Sequence, residues 1–236
     1  MSSSEDRADR GARRRAAIAL LFLVPAPSIG TFAAMVAAPG LPVGQGSFAA
    51  SKVWLLAFPL LWCTLVERSR LAFPRPRAAG MTAGVVSGVV IAGAIVAGYL
   101  ALGDHLIDPE VVREELGKVG FDSPAFYIPL AVYWCLVNSL LEEYVWRWFV
   151  FSQCARLWSL RPAAAMAGFF FTLHHIVALQ VYLDALAVAI CATGVWIGGT
   201  TWSWIYGRWK NIWAAWVSHV LADIAVFAIG YVLLFG

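Results

Sequence analysis

Two adjacent carboxylates, Glu142 and Glu143, lie in the stretch Leu141–Phe151, LEEYVWRWFVF, with Arg147 one helical turn beyond Glu143. The surroundings are apolar, and a charge in hydrocarbon costs roughly 2.5–3.5 kcal/mol on insertion scales. Three charges kept in such a place point to use. Downstream, His174 and His175 end the run GFFFTLHH, and His219 lies in WVSHVLAD with Asp223 four residues on. Positions i and i+4 share a helix face, so Glu143 pairs with Arg147 and His219 with Asp223. Glu142 lies about 100° round the helix from Glu143 at 3.6 residues per turn. One glutamate can therefore face a cavity while the arginine neutralises the other.

The chemistry open to this set is narrow. A glutamate in an apolar surround is a usable general base. Imidazoles can help activate water or donate to an oxyanion. Glu142, His175 and His219 could also hold a zinc ion with an open water position. No H-E-x-x-H occurs, and Ser139, near the two glutamates, has no evident His partner. Hydrolysis by a water nucleophile is the reading these residues favour.

Positioning such groups falls to membrane helices. The 236 residues are 61% hydrophobic and 13% charged, with a mean hydropathy of +0.74, whereas soluble domains are about half apolar and about a quarter charged. The excess comes as long runs, so the fold class is all-α, a polytopic transmembrane helical bundle. Runs at about 16–38, 52–66, 80–102, 126–151, 162–180, 184–206 and 212–235 predict seven spans, or eight if one is broken or re-entrant. Residues 1–15 read as a disordered cytoplasmic basic tail. The first run is long and interrupted by Pro25 and Pro27, which predicts a kinked span rather than a cleaved signal. Residues 39–51 read as a Gly/Pro-rich loop, and 103–123 as a polar outer loop with a short surface helix from Pro109 to Lys118. The division expected is a tail (1–15), N-terminal membrane helices with the outer loop (16–125), and a catalytic membrane core (126–236). Gly84 and Gly88 form a G-x-x-x-G, for which close helix packing is a sufficient explanation. Cys63, Cys135, Cys154 and Cys191 form no C-x-x-C and read as packing residues.

Basic residues set the orientation. With the N-terminus inside, the inner loops hold Arg7, Arg10, Arg13, Arg14, Arg15, Arg68, Arg70, Arg75, Arg77, Arg156, Arg161, Arg208 and Lys210, against Lys52, Arg113 and Lys118 outside. This predicts a cytoplasmic N-terminus in an inner or plasma membrane. No basic soluble domain is visible, so nucleic acid is not an expected partner. At a rise of about 1.5 Å per residue, Glu142 lies roughly 12–14 Å deep, His219 roughly 10 Å and His175 roughly 20 Å. Three helices thus bring polar groups to the inner and central part of one bilayer, as one water-accessible site would require.

The motifs resemble the CPBP family, named for CAAX proteases and bacteriocin-processing enzymes, and are similar to those of type II CAAX prenyl endopeptidases. Glu142-Glu143-Tyr-Val-Trp-Arg147 matches E-E-x-x-x-R. Phe171-Thr-Leu-His-His175 matches F-x-x-x-H, as does Phe170 to His174 one residue earlier. His219-Val-Leu-Ala-Asp223 matches H-x-x-x-N/D in its Asp form. The resemblance covers about 126–235. It implies an intramembrane endopeptidase acting on a membrane-associated or lipidated protein or peptide. Glu142 would be the base, acting with His175. Glu143 and Arg147 would brace it, and His219 with Asp223 would polarise the scissile carbonyl. Zinc on Glu142, His175 and His219, or a metal-free glutamate mechanism, are both compatible with the resemblance. The competing reading is a non-catalytic membrane scaffold or bacteriocin-immunity protein of the same fold. A transporter is a third, though the two halves show no internal repeat.

Overall fold

The computed structural model describes residues 2–69, 75–117, 121 and 123–236. Seven helical segments in it are long and apolar enough to cross a membrane: Asp9–Ala37, Pro42–Val66, Met81–Leu106, Pro124–Leu157, Leu160–Leu179, Ala185–Trp209 and Ile212–Phe235. No strand occurs among the described residues. Exposed apolar side chains such as Val90, Leu100 and Ile197 form the outer surface, where lipid is the compatible solvent.

Each span carries its own local signals. The first span comprises α1 (Ser2–Leu23), α2 (Pro25–Phe32) and a π-helical end at Ala33–Ala37. The break at Val24 precedes Pro25, whose missing N–H cannot continue the ladder. The second comprises α3 (Pro42–Leu61) and a π segment at Trp62–Val66. The third is α4 (Met81–Leu106), followed by the short α5 (Pro109–Gly117). The fourth runs through α6 (Pro124–Tyr133), a π segment at Trp134–Asn138, α7 (Ser139–Glu143), a π segment at Tyr144–Phe151 and α8 (Ser152–Leu157). The last three are α9 (Leu160–Leu179), α10 (Ala185–Trp209) and α11 (Ile212–Phe235).

Three expectations are corrected. Residues from Ser2 onward are helical rather than disordered. Arg13 anchors α1 by donating to the carbonyls of Arg156 (3.2 Å) and Leu157 (3.1 Å) at the end of α8, a favourable place for a cation. Second, the loop expected at 39–51 is largely helix, because Pro42 occupies the first turn of α3, where its missing N–H costs nothing. Third, Lys52 therefore lies inside a span and not in an outer loop. Of the residues named above for the loops, Arg70 and Lys118 lie outside the described residues.

The loops gather at two ends of the bundle. At one end Glu67 accepts from Arg156 through both carboxylate oxygens (2.6 and 2.7 Å), from Gln153 (2.9 Å) and from Trp62 (3.1 Å). Burial opposes ionisation of Glu67, but these hydrogen bonds, Arg156 foremost, outweigh it and hold the carboxyl below its ordinary value. The stability this clamp contributes is present above the usual carboxylate range and is lost as pH falls through the lowered value. Asn211 belongs to the same end. It donates to the carbonyls of Arg77 (2.8 Å) and Ala79 (2.9 Å) and caps α11 by accepting from Trp213 N–H (3.2 Å). At the opposite end residues 104–111 face 180–184 across an open cleft of about 630 Å³.

Close packing of α4 on α11 sets the register of the last helix. A methyl added at Gly84 would lie 2.9 Å from the Ala214 carbonyl carbon, and one at Gly88 would lie 2.8 Å from Ser218 Cα, immediately before His219. Overpacking costs about 1–3 kcal/mol. Gly84→Val is expected to lower the thermal unfolding temperature in detergent. Gly93→Ala, which meets nothing within 4 Å, should leave that temperature unchanged.

Candidate active site

The fourth span changes its winding around the two glutamates. Asn138 ends one π segment, α7 carries Glu142 and Glu143, and a second π segment begins at Tyr144. Wide turns of this kind are rare and frequently occur at functional sites. They re-aim side chains that an ideal helix would place elsewhere.

The two glutamates occupy different surroundings. Glu143 is fully buried, with its Oε1 3.1 Å from Arg147 Nη1, and Arg147 is fully buried as well. The arginine carbon lies over the rings of Phe171 (4.7 Å) and Trp202 (5.0 Å). No well-aligned hydrogen bond reaches its nitrogens among the described residues. Charge and two π faces therefore hold the guanidinium. Glu142 keeps 15% of its side chain exposed and lines a cavity of about 190 Å³ between the first, second, fourth and fifth spans. One water needs roughly 10–15 Å³ of such volume, so Glu142 is the glutamate with access to water.

His219 joins the two glutamates. Its Nδ1–H donates to Glu143 Oε1 at 2.9 Å. Its Nε2 lies 3.8 Å from Glu142 Oε2 and 3.6 Å from Asp223 Oδ1. Trp202 stacks on the imidazole at 4.1 Å and 19°, and donates to Ser218 at 2.8 Å. The pair expected at 219 and 223 is thus in contact, and Asp223 addresses the imidazole nitrogen that faces Glu142.

The doubled histidine divides between two tasks. His175 Nδ1–H donates to the Phe171 carbonyl at 3.0 Å, which leaves Nε2 as the acceptor in the neutral ring. Glu142 lies within electrostatic reach of His219, His175 and Lys52. His174 stacks on Trp146 at 5.5 Å and 6° and lines the cavity. Both rings therefore border the region around Glu142.

Several neighbours carry no motif and emerge only here. Asn138 Nδ2 donates to Glu142 Oε1 at 2.9 Å, and Lys52 Nζ donates to Asn138 Oδ1 at 3.2 Å. Asn138 stands four residues before Glu142, so helical spacing could have singled it out. Lys52, Trp146 and Trp202 come from helix packing, for which the sequence holds no local signal. Ser139 donates to the Cys135 carbonyl and accepts from Trp216 at 3.1 Å, a pattern that ties two spans together.

A zinc site needs three convergent ligands. Among the described residues no three His, Cys, Asp or Glu side chains form such a group. Of the two His219 ring nitrogens, Nδ1 is committed to Glu143. Glu142, His175 and His219 as placed do not fit the ion, and no step is derived through it.

A model of the family described as "Rce1-like: Type II CAAX prenyl endopeptidase Rce1-like" matches residues 124–225. No curated protein and no solved structure matches the chain. The matched segment starts at the first turn of α6 and ends two residues beyond Asp223, so all three motifs fall within it. The chain is an integral membrane protein whose residues 124–225 match the model of the Rce1-like type II CAAX prenyl endopeptidases, a protease family consistent with the CPBP resemblance of its motifs.

Proposed function

We propose that this chain is an intramembrane endopeptidase that hydrolyses a peptide bond in a membrane-associated, prenylated substrate, using water activated by Glu142. The observation that carries this reading is the unequal placement of the glutamates. Glu142 borders a cavity with His219 Nε2 3.8 Å away, while Glu143 is sealed against Arg147 and His219.

The contacts support the following steps. Glu142 takes a proton from water, and the oxygen attacks the scissile carbonyl carbon. His175 Nε2 is the acceptor beside it that orients this water. The oxyanion receives the Nε2–H of doubly protonated His219, whose Nδ1–H stays on Glu143. Collapse of the tetrahedral adduct breaks the C–N bond, and Glu142 returns its proton to the leaving amine. Asp223 steadies His219 rather than touching the substrate. Glu143 and Arg147 hold the imidazole in place. The basic end holding Arg13, Arg77 and Arg156 would face the cytoplasm.

The test is mass-spectrometric cleavage of an S-farnesyl-cysteine tetrapeptide by the purified full chain in detergent, with and without a zinc chelator. Cleavage that survives chelation is expected. Absence of cleavage would favour the scaffold reading, and chelator-sensitive cleavage would overturn the metal-free step. Asn138→Leu should lower kcat/KM about 10–100-fold, the worth of a hydrogen bond to a charged group. Its pH–rate profile should shift as well as fall, which a loss of folded protein alone would not produce.

A further inference from the structure

Lys52 is a cation inside a span, and this position needs a physical reason. Its Nζ donates to Asn138 Oδ1 at 3.2 Å and lies 5.3 Å from the Phe48 ring centre. It forms no ion pair among the described residues, unlike Arg147, Arg156 and His219, which all face carboxylates. An ammonium has three donors, and one is spent on Asn138. The side chain lines the same cavity as Glu142 and His174, together with apolar Leu55, Val145 and Trp146. A membrane-embedded cation that opens onto a cavity is a binding-site feature by default.

We infer that Lys52 is the anchor for a carboxylate of the substrate, seated in the cavity beside Glu142. This rests on the endopeptidase reading and adds a recognition element supplied by the second span, outside the matched segment. Lys52 Nζ and Glu142 are linked through one asparagine side chain, by contacts of 3.2 and 2.9 Å. An extended chain advances about 3.3–3.6 Å per residue. A carboxylate held on Lys52 therefore leaves the attacked bond only a few residues away. The apolar walls take the intervening side chains. The carboxylate is either the C-terminal group of the peptide or an acidic side chain near it, and the two share the same chemistry at Lys52.

Binding is measured by fluorescence anisotropy on the full chain in detergent with Glu142→Gln, which leaves the ligand intact. Three dye-labelled S-farnesyl-cysteine tetrapeptides are compared: a free acid, its C-terminal amide, and the amide with aspartate at the last position. The acid is expected to bind about ten-fold more tightly than the amide. Adding Lys52→Met should abolish that difference, and adding Lys52→Arg should keep most of it. If the aspartyl amide regains tight, Lys52-dependent binding, the side-chain source is supported; if it does not, the terminal carboxylate is. An equal acid–amide ratio with and without Lys52, or no binding of any peptide, would overturn the proposal. Should Lys52→Met fail to fold, the acid–amide ratio with Lys52 and Lys52→Arg decides alone. Cleavage of the free acid by the unsubstituted chain is scored separately. Lys52-dependent binding without cleavage would sink the endopeptidase reading and leave the anion site standing.

Discussion

Glu142→Gln is expected to reduce cleavage by about 10²–10⁴-fold, the range that a positioned general base contributes, while the unfolding temperature stays near that of the unsubstituted chain. Glutamine keeps the shape, and its amide oxygen can still accept from Asn138 Nδ2, which now reaches Glu142 Oε1 at 2.9 Å. What is lost is the ability to take a proton from water. Stability should change little because Glu142 is partly exposed to the cavity, 15% against 0% for Glu143. The readout is single-turnover hydrolysis of the farnesyl tetrapeptide, alongside thermal unfolding of the same preparation. Cleavage within two-fold of the unsubstituted chain would sink the assignment of Glu142 as the base. A collapse of stability would instead make it a structural carboxylate.

Arg147→Leu is expected to act in the opposite way, lowering stability by about 3–5 kcal/mol, the cost of breaking a buried ion pair from one side. Glu143 would remain sealed with His219 as its one charged partner. Phe171 and Trp202 would lose the guanidinium they enclose at 4.7 and 5.0 Å. Arg147→Lys should recover only part of the loss, because a point charge cannot reproduce a planar group between two rings. The double variant Glu143→Leu/Arg147→Leu should regain part of the stability by removing both charges. It should stay inactive, because His219 Nδ1 then has no carboxylate to orient it. Denaturant unfolding of the four proteins checks this, and an Arg147→Leu loss below about 1 kcal/mol would refute the brace.

These two variants separate the roles of neighbouring glutamates, and the separation shows how far the sequence could be read. The i,i+4 spacings placed Glu143 with Arg147 and His219 with Asp223, and both pairs are in contact. The seven apolar runs also appear as seven spans. Local composition carries this information, since length and hydropathy suffice for a span and helical period suffices for a pair on one face. The helix starts were less legible. Pro42 opens a helix within a stretch rich in Gly and Pro, where the same residues equally describe a loop. The tail from Ser2 is helical and docks through Arg13 on residues more than 140 positions away, a contact no local signal reports.

By itself the sequence determined an all-helical membrane bundle and a short set of polar residues within it. Only the tertiary structure decided how they meet. It placed His219 between the two glutamates, stacked Trp202 on its ring, and closed Arg147 between two aromatic faces. It also carried Lys52 from the motif-free half of the chain to the wall of the cavity at Glu142. The physical reason is the range of each signal. Periodicity and hydropathy act over one or two helical turns, whereas the cavity is lined by side chains from four spans far apart in the chain.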